Sequence, residues 1–597
     1  MKTAERPRGL LPAAVSVGVA RQAGLEDADR GAAWDRRSRA GAARERLWLA
    51  GALALTLLFT ARTMAPAFLS GAIQDDALQH VFWMLRFRDP ELLRDDLFAD
   101  YFQSLAPVGY TAIYWTLTRA VDPLLASKLL PPLLGGFTAL FTFLLVRRLH
   151  PSPAAACLAT VLLSWYLWQY DDLSSATPRA FLMPTLTALL WALVAGRSAV
   201  AVGVTLLAAL VYPIGGVLGV ALLGARLVRF EGRRPKLVRE RSAWVMTLAA
   251  IVLVGMALLP DLLAGSPYGP AITAAEARTM PEFGPKGRNA YFVPGAYKFW
   301  LESYRSGLNL RVSDALFPQI PVLFEYAALA ALLPLALRFR RRLPAARLLD
   351  GQLTILVRLL AASFALFLLA HLLLFRLYLP SRYVQWSVPL VLSVAAGLAL
   401  AILFQEAAAR VRPARPGRLA AALAVLFAIG VALYPAEYRG EFQPDRHPAI
   451  TAYLRDQPKD LLVAAVPHDA DWVPAMTGRR ILVAREYALA YHPGYYGEVR
   501  QRMEDLIDAY YDEGTKRLAG LVERYGVDFF LVDHEAFNAF TVGKAWGGRE
   551  FAPFHLTIAA RLNRPRRYAL QDLVRDCAVV DDGAVALVPA TCLAGAR

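Results

Sequence analysis

Long apolar runs broken by short arginine clusters set the rhythm of this 597-residue chain. Windows of about 17 to 25 mostly apolar residues recur, each long enough to cross a hydrocarbon layer of roughly 30 Å. They predict spans over 47–67, 129–147, 154–170, 180–196, 199–212, 213–226, 243–262, 318–337, 352–375, 384–404 and 417–434, about eleven in all. Residues 107–122 are apolar but short, and Pro107, Gly109 and Arg119 interrupt them, which suits a helix at the membrane interface. The stretch 199–226 is long for one span and short for two, and Pro213, Gly215 and Gly216 lie inside it. A tight hairpin or a broken helix fits, since irregular backbone at membrane depth needs protein or a cavity around it. Tyr212 there either lines a pocket or marks a packing kink.

The basic residues fix an orientation. Arg147-Arg148, the cluster 226–241, the cluster 338–347 and the cluster 410–418 all fall between spans. With the N-terminus inside, every one of these loops lies inside as well, which is the positive-inside pattern. Residues 1–46 are Arg-rich, mixed with acidic residues, Pro and Gly, and show no signal-peptide cleavage pattern; they predict a cytosolic tail. The net charge of +16, in a chain 56% hydrophobic and only 19% charged, is therefore a topology signal with membrane lipids as its partner. A nucleic-acid partner and a soluble enzyme are both excluded by this distribution.

Beyond residue 434 the pattern changes. Short apolar runs at 461–466, 480–484 and 529–532 alternate with amphipathic stretches at 496–511 and 515–525. Strand and helix signals in alternation predict a soluble α/β domain over 435–597, outside the membrane. The expected architecture is thus an all-α polytopic bundle, 47–434, with outer loops 68–106 and 262–317, followed by that domain. No dinucleotide or phosphate-loop glycine motif is visible. Cys157 lies in an apolar helix, whereas Cys577 and Cys592 fall in the tail, either as a disulfide or as two free buried thiols.

Candidate chemistry gathers at the outer ends of the spans. Asp75 and Asp76 follow the first span, and Asp171 and Asp172 follow the third. A carboxylate so placed can act as a general base; alternatively Asp caps the amphipathic run Leu78 to Phe87, which is expected to lie along the interface. His80 follows on the same run as a substrate or structural residue. Thr177-Pro178-Arg179 opens the next span, and Arg179 there either clamps a phosphate or pairs with an aspartate to close the loop. Arg376, Tyr378, Arg382 and Tyr383 cluster around Pro380 at another outer mouth, where two guanidinium groups suit a phosphate or diphosphate. Tyr297 and Lys298 stand among the aromatics of loop 262–317, candidates for stacking on a sugar or for an interfacial belt. His371 reads as a packing residue. His468, Asp469 and Asp471 form a local cluster without the spacing of a zinc set, and His492 and His534 carry no assignment.

This layout resembles the GT-C superfamily of integral-membrane glycosyltransferases: an acidic pair just after the first span, ten or more spans, outer-face arginines and an outer C-terminal domain. The resemblance covers residues 47–434 and rests on a short motif. It implies a transferase in the bacterial inner (cytoplasmic) membrane, with its C-terminal domain periplasmic or extracellular; a single base with direct displacement would make the transfer inverting. The donor would be a polyprenyl-phosphate sugar, and the acceptor a glycan, lipid or protein. Asp75 or Asp76 then matches the first-loop acid, a general base or metal contact; Arg179 and Arg382 are candidates for the donor phosphate; magnesium or manganese is a candidate cofactor. The rivals are a transporter or flippase of lipid-linked glycans, for which no internal repeat is visible, and a non-catalytic membrane scaffold.

Overall fold

The computed structural model describes residues 13–232, 234–310, 322–412, 414–434, 440–466, 470–538, 554–563 and 566–595. Among the described residues, fifteen α-helices carry the chain from the N-terminal side to residue 433. They are α1 (Ala13–Leu69), α2 (Asp75–Val81), α3 (Leu97–Leu105), α4 (Val108–Leu117), α5 (Pro123–Leu149), α6 (Pro153–Trp168), α7 (Leu182–Val194) and α8 (Ser198–Val211). Then come α9 (Pro213–Arg226), α10 (Arg241–Ala264), α11 (Ala274–Thr279), α12 (Val322–Arg338), α13 (Thr354–Leu372), α14 (Ser387–Val411) and α15 (Pro416–Leu433).

A helix stands at each predicted span. By length and composition six helical stretches among the described residues suffice to cross a membrane: Gly41–Leu69, Pro123–Leu149, Arg241–Pro260, Gly351–Leu372, Pro380–Val411 and Pro416–Leu433. The protein is a multi-pass membrane bundle. Shorter apolar helices, α6 to α9, fill the space between them. The doubtful stretch 199–226 is two helices of 14 residues each, packed side by side and hinged at Tyr212-Pro213. At 1.5 Å per residue each covers only about 21 Å, less than the hydrocarbon thickness. Residues 108–117 form the short α4, and Asp122 caps α5 by accepting from the amides of Leu124 (2.8 Å) and Leu125 (3.4 Å). That cap starts α5 six residues before the expected 129, because Pro123 is a good first helical residue.

The centre of the bundle is α14, packed on α6, α12 and α15. A side chain at Gly397 of α14 would collide with the backbone of Ala159 on α6, so these helices touch main chain to main chain. Polar side chains tie α6 to its neighbours: Thr56 and Ser164 share a 2.8 Å hydrogen bond, Thr63 donates to the Trp168 carbonyl at 2.5 Å, and Tyr326 donates to the Leu162 carbonyl at 2.7 Å. The last turn of α6 is thereby fixed against the last turns of α1. Lys128 of α5 completes the arrangement by donating to the carbonyls of Ala67 (3.2 Å) and Gly71 (2.7 Å), a cation at the C-terminal end of α1.

The C-terminal region adds strands. Short β1 (Ile73–Gln74) pairs antiparallel with β4 (Phe442–Gln443), stitching the loop after α1 to the segment after α15. Exposed β2 (Val228–Glu231) and β3 (Arg234–Leu237) form a hairpin. A five-stranded mixed sheet is built from β5 (Leu462–Ala465), β6 (Arg480–Ile481), β7 (Phe529–Asp533), β8 (Val580–Asp581) and β9 (Val585–Pro589), in the order β6-β5-β7-β9-β8. The β6-β5-β7 part is parallel and β7-β9-β8 antiparallel. Helices Pro493–Tyr510 and Lys516–Tyr525 cover the predicted amphipathic stretches. Cys577 and Cys592 are joined in a disulfide, and Cys157 is a buried free thiol.

Replacing Gly397 with Leu should force α14 and α6 apart, at a cost of about 1–3 kcal/mol or more for an overpacked contact. Thermal unfolding in detergent should show a lowered midpoint; an unchanged midpoint would mean the helices do not meet there.

Candidate active site

The site begins where α1 ends. Gly71, at φ +70°, turns the chain after the helix, with the amides of Ser70 and Ala72 both returning to the Pro66 carbonyl. Two residues then pair with β4, and the Gln74 side chain caps α2 by accepting from the Ala77 amide at 3.1 Å. The cap is thus Gln74 and not an aspartate. Asp75 and Asp76 occupy the first turn of α2, where the helix dipole favours negative charge. Their backbone is pinned too, since the Asp75 amide donates to the Glu441 carbonyl at 3.0 Å.

The two carboxylates have different company. Asp76 is ion-paired with Arg179, and the same Nη2 of Arg179 also donates to Asp171. The side chains of Arg179, Asp76 and Asp171 are 16%, 25% and 18% exposed, so this trio is largely shielded from water. Asp172, buried beside them, acts on Arg179 through its charge. Arg179 sits in the short turn Pro178–Phe181 that leads into α7, held from below by the Tyr114 hydroxyl on the Ala176 carbonyl at 3.0 Å. Because Thr63 fixes the end of α6, the Asp171 loop emerges beside the Asp76 loop.

Asp75 points to the C-terminal region instead. Gln443 of β4 donates through Nε2 to its Oδ1. Burial chiefly, then the negative charges of Glu486, Asp76 and Glu441, push the Asp75 carboxyl up to about 7, with Arg288 opposing them. Glu486 is itself ion-paired with Arg288, and its amide donates to Asp471 at 2.9 Å. Burial, then the charge of Glu486, pushes Asp471 well above the usual carboxylate range. Gln79 of α2 donates to the Glu486 carbonyl, and Tyr487 donates to the Leu78 carbonyl at 3.1 Å. The run Leu78 to Met84, expected along the interface, is therefore buried between the bundle and the C-terminal region, with Phe82 against Tyr487 at 4.8 Å between ring centroids.

Across the mouth stands Arg382, in the turn Pro380–Tyr383 before α14. Its guanidinium lies 5.7 Å from the Trp386 ring centroid and donates to Gln385 at 3.3 Å, while its buried Nε has no hydrogen-bond partner among the described residues. Asp76, Arg179 and Arg382 all act on His80, which joins the two sides of the mouth electrostatically. Burial, reinforced by the two guanidiniums and opposed by Asp76, lowers His80 to about 4, so it is neutral near pH 7. Tyr212, at the α8–α9 hinge, stands edge-on to Trp386 at 6.0 Å and within electrostatic reach of Arg382, Tyr378, Arg179 and Tyr383.

Asp75, Asp76, His80, Asp171, Asp172, Arg179, Tyr212 and Arg382 thus gather at one mouth. Tyr383 is buried nearby and donates to the Leu377 carbonyl at 3.1 Å; Tyr378, on left-handed backbone at φ +60°, faces Tyr491 at 5.8 Å. Arg376, Tyr297 and Lys298 are exposed and no described contact brings them to this group. His371 shares a 2.8 Å hydrogen bond with Tyr291, His492 a 2.9 Å bond with Tyr101, and His534 a 3.0 Å pair with Asp581. His468 and Asp469 lie outside the described residues. Gln443 and Glu486 were not foreseen, since a lone Gln after a span and an Arg-Glu dipeptide carry no signal, and Arg288 stood only among the basic residues of loop 262–317 without a role.

Magnesium or manganese, expected as a candidate, would need acidic ligands free to converge on it. Asp76 and Asp171 instead converge on a guanidinium, and among the described residues no group of three His, Cys, Asp or Glu side chains is disposed to hold a metal ion. The residues as they stand do not fit a divalent ion.

No protein-family model matches the sequence, and no curated protein matches it. Solved structures do. The chain is similar to the archaeal oligosaccharyltransferase AglB of Archaeoglobus fulgidus in complex with an inhibitory peptide and a dolichol-phosphate. The TM-score is 0.51 at 12% identity, over 86% of this chain and 72% of that one. It is also similar to ArnT of Cupriavidus metallidurans bound to undecaprenyl phosphate, at TM-score 0.45 and 12% identity over 89% and 97% of the two chains, a likeness too distant to argue from. The chain shares its overall fold with AglB. At this identity the similarity to AglB speaks for architecture.

Proposed function

We propose that this protein transfers a sugar from a polyprenyl-phosphate carrier to an acceptor at the outer membrane face, with Asp75 as general base. The observation that carries the reading is the split between the two aspartates. Asp76 is neutralised by Arg179, whereas Asp75 is half-buried, anchored by Gln443 and raised to about 7, a value suited to taking a proton near neutral pH. AglB, whose fold this chain shares, was captured with dolichol-phosphate, which supports a lipid-phosphate donor.

The chemistry balances with the groups at hand. Asp75 accepts the proton of the acceptor's N–H or O–H, and that atom attacks the anomeric carbon. The bond from that carbon to the phosphate oxygen breaks, and its electron pair leaves on the phosphate. Arg382, whose buried Nε has no hydrogen-bond partner among the described residues, is the natural anchor for that charge, since the charge of Arg179 is already taken up by Asp76 and Asp171. A single displacement inverts the anomeric centre. Tyr212 and Trp386 would border the sugar, and neutral His80 can both donate and accept a hydrogen bond.

The bundle 47–434 is taken as the catalytic part and 435–597 as a periplasmic domain that completes the site. The membrane is taken as the bacterial inner membrane with the N-terminus cytoplasmic. Single cysteines introduced at 290 and 500 should react with an impermeant maleimide from outside only; labelling from the cytosolic side would reverse the orientation.

Asp75→Asn should lower transfer at least about 100-fold, within the usual range for loss of a general base. Because the base works deprotonated and its folded value is raised, wild-type kcat/KM should climb with pH and level off above about 7. Near-normal turnover in Asp75→Asn, or a flat profile, would remove Asp75 from this role. Arg382→Ala should raise the KM for the lipid-phosphate donor at least about tenfold, the scale of one charge-assisted contact, while leaving the acceptor KM close to wild type. Equal effects on both substrates would deny it a donor-specific contact.

A further inference from the structure

Asp76 and Asp171 leave the membrane on loops that follow different helices, yet their carboxylates meet at one point. Two negative groups so shielded repel strongly unless a cation stands between them. In such sites a divalent metal commonly supplies that charge. Here the position belongs to the Arg179 side chain: one Nη2 donates to both carboxylates, and Asp172 faces the same guanidinium. A metal ion entering the gap would have to displace it. It would also meet the charges of Arg179 and Arg382, which already act together on His80.

We infer that Arg179 is a built-in replacement for a catalytic-site metal: its guanidinium holds Asp76 and Asp171 together, so that sugar transfer runs without a divalent cation. The inference rests on the transferase reading for its activity arm, but its structural arm stands alone. Arginine stays protonated at any pH at which the fold survives, so this cation cannot be chelated or titrated away. Arg179 is also a positioning residue, because through Asp76 it fixes the first turn of α2, and with it Asp75 one residue away.

The test uses the full-length protein in non-ionic detergent, with Mn2+ as the probe and its electron paramagnetic resonance signal as the readout. Wild type and Arg179→Lys, which keeps a positive charge, should take up no stoichiometric Mn2+ at millimolar concentration. Arg179→Gly should take up a single Mn2+ per chain and lose it again when Asp76→Asn is added. In parallel, wild-type transfer in excess EDTA should stay within about twofold of the untreated rate. Equal Mn2+ uptake by wild type and Arg179→Gly, whether both bind or neither does, would overturn the inference. So would loss of wild-type transfer in EDTA that Mn2+ or Mg2+ restores. If Arg179→Gly does not fold, the Mn2+ titration and chelator response of wild type decide. If no lipid-phosphate sugar is transferred at all, the transferase reading falls while the Mn2+ comparison still tests the role of Arg179.

Discussion

The whole mouth depends on how charge is held near hydrocarbon. A carboxylate or guanidinium at the edge of a bilayer is costly unless it is wet or paired. Removing one partner of a well-buried pair typically costs about 3–5 kcal/mol. The Arg179 pairing satisfies this constraint for two loops at once, by binding Asp76 and Asp171. In the proposed reaction it also withdraws Asp76 from proton transfer, because the acid so paired is held as a carboxylate. What remains is Asp75, whose carboxyl is raised to about 7 chiefly by burial and then by the negative charges of Glu486, Asp76 and Glu441.

The second support comes from the far end of the chain. Gln443 and Glu486 reach Asp75 and α2 from the region after the last span, and β1 and β4 are paired. The C-terminal region is therefore a wall of the site as well as a neighbour of it. Its five-stranded sheet stands behind that wall, and the packing of Phe82 and Phe98 on Tyr487 continues the contact into the bundle.

Much of this was legible in the sequence, and the reasons are physical. Spans are written in unbroken apolar runs, so a helix is found at each predicted span, even where α8 and α9 fall short of a full crossing; the short loop helices α3 and α11 carry no such run and were not foreseen. Asp75, Asp76, Arg179 and Arg382 stood out because charge beside hydrocarbon is conspicuous. What the sequence could not show was the division of labour within the aspartate pair. Asp75 and Asp76 are adjacent and chemically alike, and only their distant partners, Gln443 and Arg179, tell them apart. The amphipathic run Leu78 to Phe87 misled for a related reason: an apolar face fits a membrane interface as well as it fits Tyr487. The strands β8 and β9 went unread because the first is two residues long and its partner pairs out of chain order.

One consequence follows from the pairing of β1 with β4. It joins residues 73 and 74 to 443 and 442, so the mouth cannot close until the ribosome has delivered nearly three-quarters of the polypeptide. A nascent or prematurely terminated chain would hold its aspartates without the glutamine that steadies one of them. Assembly order itself thus leaves half-made copies without the finished surroundings of Asp75.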